Sequence, residues 1–358
     1  MPSSARIFFL LLCVLLFETA CSGHRQTTGP ISLSARSKIT QFNDTTFFSY
    51  IGTMTAAKSS MYVWGGKTNK LYHLNRRLKL LGTLGSTGKG PGEFTSLRDM
   101  SFVNDSLYAY DPAQAKILVY DNKNDFVRGI GLPDNSGWRM AVDSRSHIFL
   151  PTPDRSHPIT ELNAHGHIIR AFGQNTVGKN SFHFRRNLRM LIIQNNKLIS
   201  VPLTEPFIKT YSLKGQLLYK TPIDRPDIHK LISLVQKQNG GNSASGVNIK
   251  KGNGSTHPQV HSLSPLFSDA AIHKNNLYLL VRAVWGKANL NKKFTLLLDY
   301  RLQNNGKVVY KRTFKLFRAN HQHPLLGEKL IAPGDHTLIV FNETKSEEAL
   351  LVFKDPQI

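Results

Sequence analysis

The 358-residue chain predicts an all-β fold, a six-bladed β-propeller of four-stranded antiparallel blades whose ring is closed by an N-terminal strand. Three observations predict it. Short apolar strands return in groups of four after roughly forty residues, the period of a propeller blade. Tight Asn- and Gly-bearing turns alternate with longer connectors. The last group holds three strands, so its fourth must come from elsewhere in the chain.

Taken in order, the first blade is predicted from about Met61 to Gly85 and the second from Met100 to Leu132. The third is read from Arg139–Asp143, His147–Leu150, Pro158–Leu162 and His167–Phe172. The fourth is read from Met190–Ile193, Lys197–Val201, Phe207–Tyr211 and Gln216–Tyr219, and the fifth from Asp269–Ile272, Asn276–Val281, Phe294–Asp299 and Lys307–Tyr310. Lys329–Ile331, Thr337–Phe341 and Ala349–Phe353 form the sixth, completed by Thr46–Tyr50 from the N-terminal side. Closing a ring with strands from both ends removes the open sheet edges that invite aggregation.

Turn chemistry separates the two faces of this ring. Asn104-Asp105, Asp143–Ser146, Asn195-Asn196 and Asn275-Asn276 link first to second strands; Asn163–Gly166, Leu213–Gly215 and Asn304–Gly306 link third to fourth. These residue types suit the positive φ of hairpin turns. The longer connectors then emerge together around the mouth of the central channel, and variable loops on a rigid scaffold carry function. Residues 224–265 are too long for a blade connector. Ile228, Leu231, Ile232 and Val235 have helical spacing there, and the glycine-rich stretch that follows suits either a lid or a tolerated loop.

The N-terminus carries an export signal. Arg6 precedes an apolar run, Ile7–Phe17, which is too short to span a bilayer and has the anatomy of a signal peptide. Residues 1–20 are therefore read as signal, 21–44 as a flexible polar tether and 45–358 as the propeller. The junction Ala20-Cys21-Ser22-Gly23 resembles the lipobox of bacterial lipoproteins. That resemblance implies acylation of Cys21 and a place in the cell envelope, on the outer membrane or facing the periplasm; an ordinary secretory signal cut near Gly23 is the other reading. Cys13 and Cys21 are the only cysteines, so a mature domain acylated at Cys21 has no disulfide, thiol nucleophile or Cys-ligated zinc.

The net charge is +23, from 46 Lys and Arg against 23 Asp and Glu. Such a field favours polyanions. An exported protein rarely meets nucleic acid, so the expected partners are the membrane, through the lipid anchor, and an acidic glycan, lipid head group or envelope protein, bound by a monomer. The competing reading is a compositional bias that binds nothing specific. Arg98, Trp138, Arg139, His183, Arg185, Arg186 and Arg189 are the candidate ligand-binding residues, because guanidinium groups with neighbouring aromatics pair with carboxylates or phosphates and stack on sugars. Arg139, Arg185, Arg186 and Arg189 come from two consecutive connectors and are expected to crowd one sector of the mouth. The alternative is a solvated basic rim.

Catalytic and metal chemistry have weaker sequence support. His165/His167 and His321/His323 are close pairs, but zinc needs three or four converging ligands. Glu93, Asp99, Asp134 and Glu328 are few acids for a calcium site at a channel mouth. The run Thr83–Gly90 fails as a phosphate-binding P-loop, since Thr83 stands where a glycine is required and Gly90 where Ser or Thr would hold magnesium. No catalytic residue, metal or cofactor is assigned. The leading reading is a non-catalytic binding or scaffold module, and the alternative a metal-dependent hydrolase or lyase with its site in the channel.

Gly88–Phe94, together with Val119-Tyr120-Asp121 at the end of the next blade's third strand, resembles the bacterial six-bladed β-propeller lipoproteins of the NHL and TolB-like kind. The resemblance implies a propeller outside the membrane and carries no catalytic residues with it. The glycines read as turn residues and Phe94 as a packing group between blades.

Overall fold

Each group of four strands forms its own antiparallel sheet, and the first strand of each touches the first strands of both neighbouring sheets, which closes a ring of six. The computed structural model describes residues 29–42, 50–133, 139–152, 156–175, 187–226, 228–229, 231–233, 265–281, 295–318, 327–334, 336–344 and 347–354. Blade 1 comprises Ile51–Ala56, Ser60–Gly65, Lys70–Asn75 and Leu80–Leu84. Blade 2 comprises Asp99–Val103, Ser106–Asp111, Lys116–Tyr120 and Phe126–Gly131. Blade 3 comprises Ala141–Val142, Ile148–Pro151, Ile159–Leu162 and Ile168–Phe172. Arg189–Gln194, Lys197–Pro202, Phe207–Ser212 and Leu217–Pro222 make blade 4. Phe267–His273, Asn276–Val281, Thr295–Leu302 and Val308–Phe317 make blade 5. Blade 6 takes Gly327–Gly334, Thr337–Thr344 and Glu347–Lys354 from the C-terminal end.

The closing strand is Ser37–Ile39, which pairs antiparallel with Glu347–Lys354, Ser37 opposite Val352. Thr46–Tyr50 was the expected donor; of it only Tyr50 is among the described residues, and it is not in a strand. The first blade also gains an inner strand, Ile51–Ala56, that the sequence reading omitted. A second correction concerns the expected tether at 21–44. Ile31–Ser34 lies parallel to Val308–Phe317 as a fifth strand of blade 5, so the part of that segment from Ile31 to Ile39 belongs to the sheets.

Six apolar clusters hold the ring, one in each interface between neighbouring blades. Alternation along each strand produces this: in blade 4, Met190 and Ile199 face blade 5, whereas Leu191 and Leu198 face blade 3. Phe94 is fully buried between blades 1 and 2, against residues of both, as a packing group there must be. The glycines before it turn the backbone. Gly85 and Gly92 have φ of +59° and +71°, a region that favours glycine. A Cβ on Gly85 would stand 2.7 Å from the Gly92 carbonyl oxygen. Tyr120, from the third strand of blade 2, donates its buried hydroxyl to that same oxygen at 2.8 Å.

Positive φ appears at most of the expected hairpin turns: Asn104, Asp105, Ser146, Asn195, Asn196, Gly166, Gly215 and Gly306. In blade 5 it falls on Lys274, one residue before the predicted pair. The third and fourth strands of blades 1 to 5 share a register shift just before their turn. In blades 3 and 5 the residue at that shift is a fully buried acid, neutralised by the arginine opposite. Glu161 meets Arg170 at 2.6 Å, and Asp299 meets Arg312 at 3.0 Å and Lys311 at 3.4 Å. Burial pushes the Asp299 carboxyl up, opposed by Lys311 and Arg312.

The start of the long insertion also joins the body. Residues 226, 228–229 and 231–233 are helical, and Ile228 and Leu231 are buried in the blade 4–5 cluster with Ile232 packed against it. Residues 234–264 lie outside the described residues, so the lid reading has no structural account here.

Candidate mouth of the central channel

Inner strands all run in one direction, so their first residues gather at one end of the channel. Among the described residues, Thr53, Asp99, Arg139, Asp269 and Lys329 stand at or within two residues of those leading ends, and most are charged. An inner strand needs an acceptor for its leading N–H groups, and in two blades the neighbour supplies a carboxylate. Asp99 Oδ2 accepts from Met140 N of blade 3 at 2.7 Å, and Asp269 Oδ2 accepts from Leu330 N of blade 6 at 2.8 Å.

Both acids are also held by one cation. Arg139 Nη1 donates to Asp99 Oδ1 at 3.0 Å, and its Nη2 reaches Asp269 Oδ1. The two carboxylates are 2% and 3% exposed and the guanidinium side chain 18%. Arg139 thus ties blade 3 to blades 2 and 5, and its charge is spent on protein. Lys329 stands beside this clamp. Desolvation, then the charges of Arg139 and Arg98 set against Asp99 and Glu328, pushes its ammonium down to about 8. Arg98 is exposed, immediately before Asp99.

Arg189 lies elsewhere than expected. It is 1% exposed and packed inside blade 4, so it cannot meet a polymer at the rim. Its Nε donates to the Asn187 carbonyl at 3.0 Å and its Nη2 to Asn187 Oδ1 at 3.3 Å. Burial pushes the guanidinium down to about 10, with Tyr211 acting in the opposite sense. The predicted crowd of four arginines is therefore divided: Arg139 is in the channel and Arg189 in a blade interface. Arg185 and Arg186, with Trp138, His183 and the lipidation candidate Cys21, lie outside the described residues.

The remaining expectations on titratable groups can be placed. His165 and His167 sit at the turn on the far face with ring centroids 6.5 Å apart, and His321 and His323 lie outside the described residues. Glu93 accepts from Gly90 N at 2.8 Å, which shapes the glycine turn. Among the described residues, no three His, Cys, Asp or Glu side chains group as metal ligands. What sequence reasoning missed was Asp269 and Lys329. The available signal was their equivalent place at the head of an inner strand, the place already noted for Arg139.

The ring of six sheets and its charged mouth define the class: a six-bladed β-propeller with a polar channel entrance. The chain belongs to the DUF5128 family, described as a 6-bladed beta-propeller, whose model matches residues 41–253, more than half of the length. Solved structures share the fold at low identity. A Bacteroides fragilis NCTC 9343 protein classed by name as exported is 12% identical with a TM-score of 0.53, over 90% of this chain and 98% of that one. U3-55K is 8% identical with a TM-score of 0.53, over 90% and 100%. A DUF4221 family member from Bacteroides vulgatus is 8% identical with a TM-score of 0.52, over 91% and 97%. No curated protein matches the sequence.

Proposed function

We propose that the chain is an exported, lipid-anchored propeller, of the NHL and TolB-like kind in its general plan, that binds an anionic envelope ligand at the channel mouth without catalysing a reaction. The observation that carries this reading is the division of charge at the mouth. Asp99 and Asp269 are both engaged by Arg139 and by strand N–H groups, whereas the Lys329 ammonium beside them is pushed down first by desolvation, with Arg139 and Arg98 set against Asp99 and Glu328. An anion placed beside Lys329 offsets the cost of desolvating its ammonium. In sequence, Trp138 belongs to the connector before blade 3, and His183, Arg185 and Arg186 to the connector before blade 4. The Ala20-Cys21 junction supports the anchor, and the exported class of the B. fragilis neighbour agrees with an envelope location.

The test is binding of polygalacturonate, as an acidic glycan, at increasing salt. Reversal of Arg185 and Arg186 to Glu is expected to weaken binding far more than reversal of Arg77 and Lys79, exposed at a turn on the opposite face. Lys311 and Arg312 are unsuitable controls, because they neutralise buried Asp299. Equal losses from both pairs would reduce the effect to net charge and remove the site.

A further inference from the structure

A second cationic locus lies inside the ring, between blades 3 and 4. Arg189, Ser200 and Lys209 come from the first three strands of blade 4. Ser200 stands opposite both Leu191 and Lys209 in register, and Arg189 is two residues before Leu191. Leu191 and Leu198 pack toward blade 3, which puts Arg189 and Ser200 on that side. Ile208 packs toward blade 5, so its neighbour Lys209 also faces blade 3. Three polar side chains thus form one stripe across a sheet face that packs against another blade.

This stripe is buried and positive. Arg189, Ser200 and Lys209 are 1%, 0% and 8% exposed. Among the described residues Arg189 Nη1 and Ser200 Oγ have no hydrogen-bond partner, and the Lys209 ammonium has a long contact, 3.4 Å, to the Gln174 carbonyl and lies 5.2 Å from the centroid of the Phe207 ring. Burial pushes Lys209 down, and Arg189 and Lys220 push it further, with Glu205 alone opposing. Among the described residues no carboxylate pairs with Arg189. The blade 3–4 connector, residues 176–186, contains Lys179, Arg185 and Arg186 but no acid. A buried guanidinium without a counter-charge costs several kcal/mol, and an unused donor beside it adds to that cost.

We propose that Arg189, Ser200 and Lys209 form a buried subsite for one small anionic group, a carboxylate or a phosphate monoester, entered from the mouth past Lys209. Guanidinium, hydroxyl and ammonium together supply a charge-assisted donor set that suits either group. The subsite deepens the reading of an anionic ligand by naming the group that the ligand inserts, and it stands or falls separately from rim binding.

The experiment uses the full mature chain in chloride buffer, titrated with phosphate or with acetate at constant ionic strength and followed by melting temperature and by calorimetry. A saturable rise is expected, roughly 5 °C at a hundredfold excess over Kd. The anion that acts at lower concentration identifies the phosphate or the carboxylate source. Arg189→Met is expected to abolish the rise and to melt at or above the anion-free wild type, because it removes an uncompensated charge. Ser200→Ala is expected to weaken binding about tenfold. No saturable effect on the wild type, or an undiminished one in Arg189→Met, overturns the subsite. So does Arg189→Met that is destabilised with no anion effect in the wild type, which shows that a carboxylate of this chain closes the pair. If Arg189→Met fails to fold, Lys209→Met with wild-type calorimetry decides on the same criteria. Loss of polygalacturonate binding on rim reversal with the phosphate effect intact separates the two proposals.

Discussion

Arg139→Met is the most informative single perturbation of the ring. Methionine fills much of the same volume but leaves Asp99 and Asp269, 2% and 3% exposed, without their shared counter-charge. Removing one partner of a buried ion pair costs about 3–5 kcal/mol, a large part of a typical total stability of about 5–15 kcal/mol. Asp99 keeps the N–H of Met140, and Asp269 keeps those of Leu330 and Ala270, so the lower half of that range is expected. At about 2 °C per kcal/mol for a chain of this size the melting temperature falls by about 6–8 °C. Urea unfolding of Arg139→Met is the assay, with Arg145→Met as control. Arg145 contacts Asp143 at 2.6 Å, but its side chain is 54% exposed and Asp143 keeps two backbone N–H donors; its loss is expected to cost below about 1 kcal/mol. A double-mutant cycle of Arg139→Met with Asp269→Asn is expected to show coupling of about 1–3 kcal/mol. If Arg139→Met unfolds within about 1 kcal/mol of the wild type, the clamp does not hold blade 3 to blades 2 and 5, and the argument from spent charge at the mouth fails with it.

Phe94→Ala is expected to cost about 3–5 kcal/mol in chemical denaturation, because its ring is fully buried between blades 1 and 2; a loss under about 1 kcal/mol contradicts an interblade packing role. Lys329 gives a pH signature. Its folded-state value of about 8 lies below the ordinary 10.5, so between those limits the unfolded chain binds a proton that the folded chain does not, and folding becomes more favourable as pH rises. Lys329→Met is therefore expected to be stabilised relative to wild type most strongly below pH 8, with the difference shrinking toward pH 10.5; a difference that stays flat across this window refutes the assignment.

The blades were legible because each strand carries its own apolar period and each turn its own Asn or Gly. Register, side-chain direction and ring order follow from that repetition. The two places where the reading departed from the fold lack such a signal. Ser37–Ile39 is mostly exposed and polar, and only its backbone ladder on Glu347–Lys354 defines it as a strand. Ile51–Ala56 interleaves Gly52 and two threonines among its apolar residues, which blurs the alternation. The site was less legible for a different reason. Arg139 is visible as a cation in a connector, but its carboxylates sit in blades 2 and 5, and nothing local to Arg139 records that they meet it. Arg189 looks like Arg139 in sequence, a basic residue at the head of an inner strand. Whether such a residue ends in the channel or in a blade interface depends on the parity of one strand position.

The N-terminal strands bear on which anionic ligand the mouth can meet. Val308–Phe317 ends at the mouth, since the next inner strand begins there, and Ile31–Ser34 runs parallel to it. Ser37–Ile39 runs antiparallel to Glu347–Lys354, again toward the mouth. Ile31 stands opposite Phe314 and Ser34 opposite Phe317, the last residue of that strand, so the chain joins blade 5 in its mouth half. Nine residues, 22–30, separate Cys21 from Ile31, and a chain step of at most about 3.5 Å per residue limits their span to roughly 35 Å. Under the lipid-anchor proposal this short reach keeps the mouth half of blade 5 within roughly 35 Å of the membrane surface. Head groups of the anchoring leaflet are then as accessible to this half as an acidic glycan or a partner protein. Polygalacturonate and anionic vesicles are therefore complementary probes of the mouth: binding of the first alone selects a glycan, and binding of the second alone selects a head group.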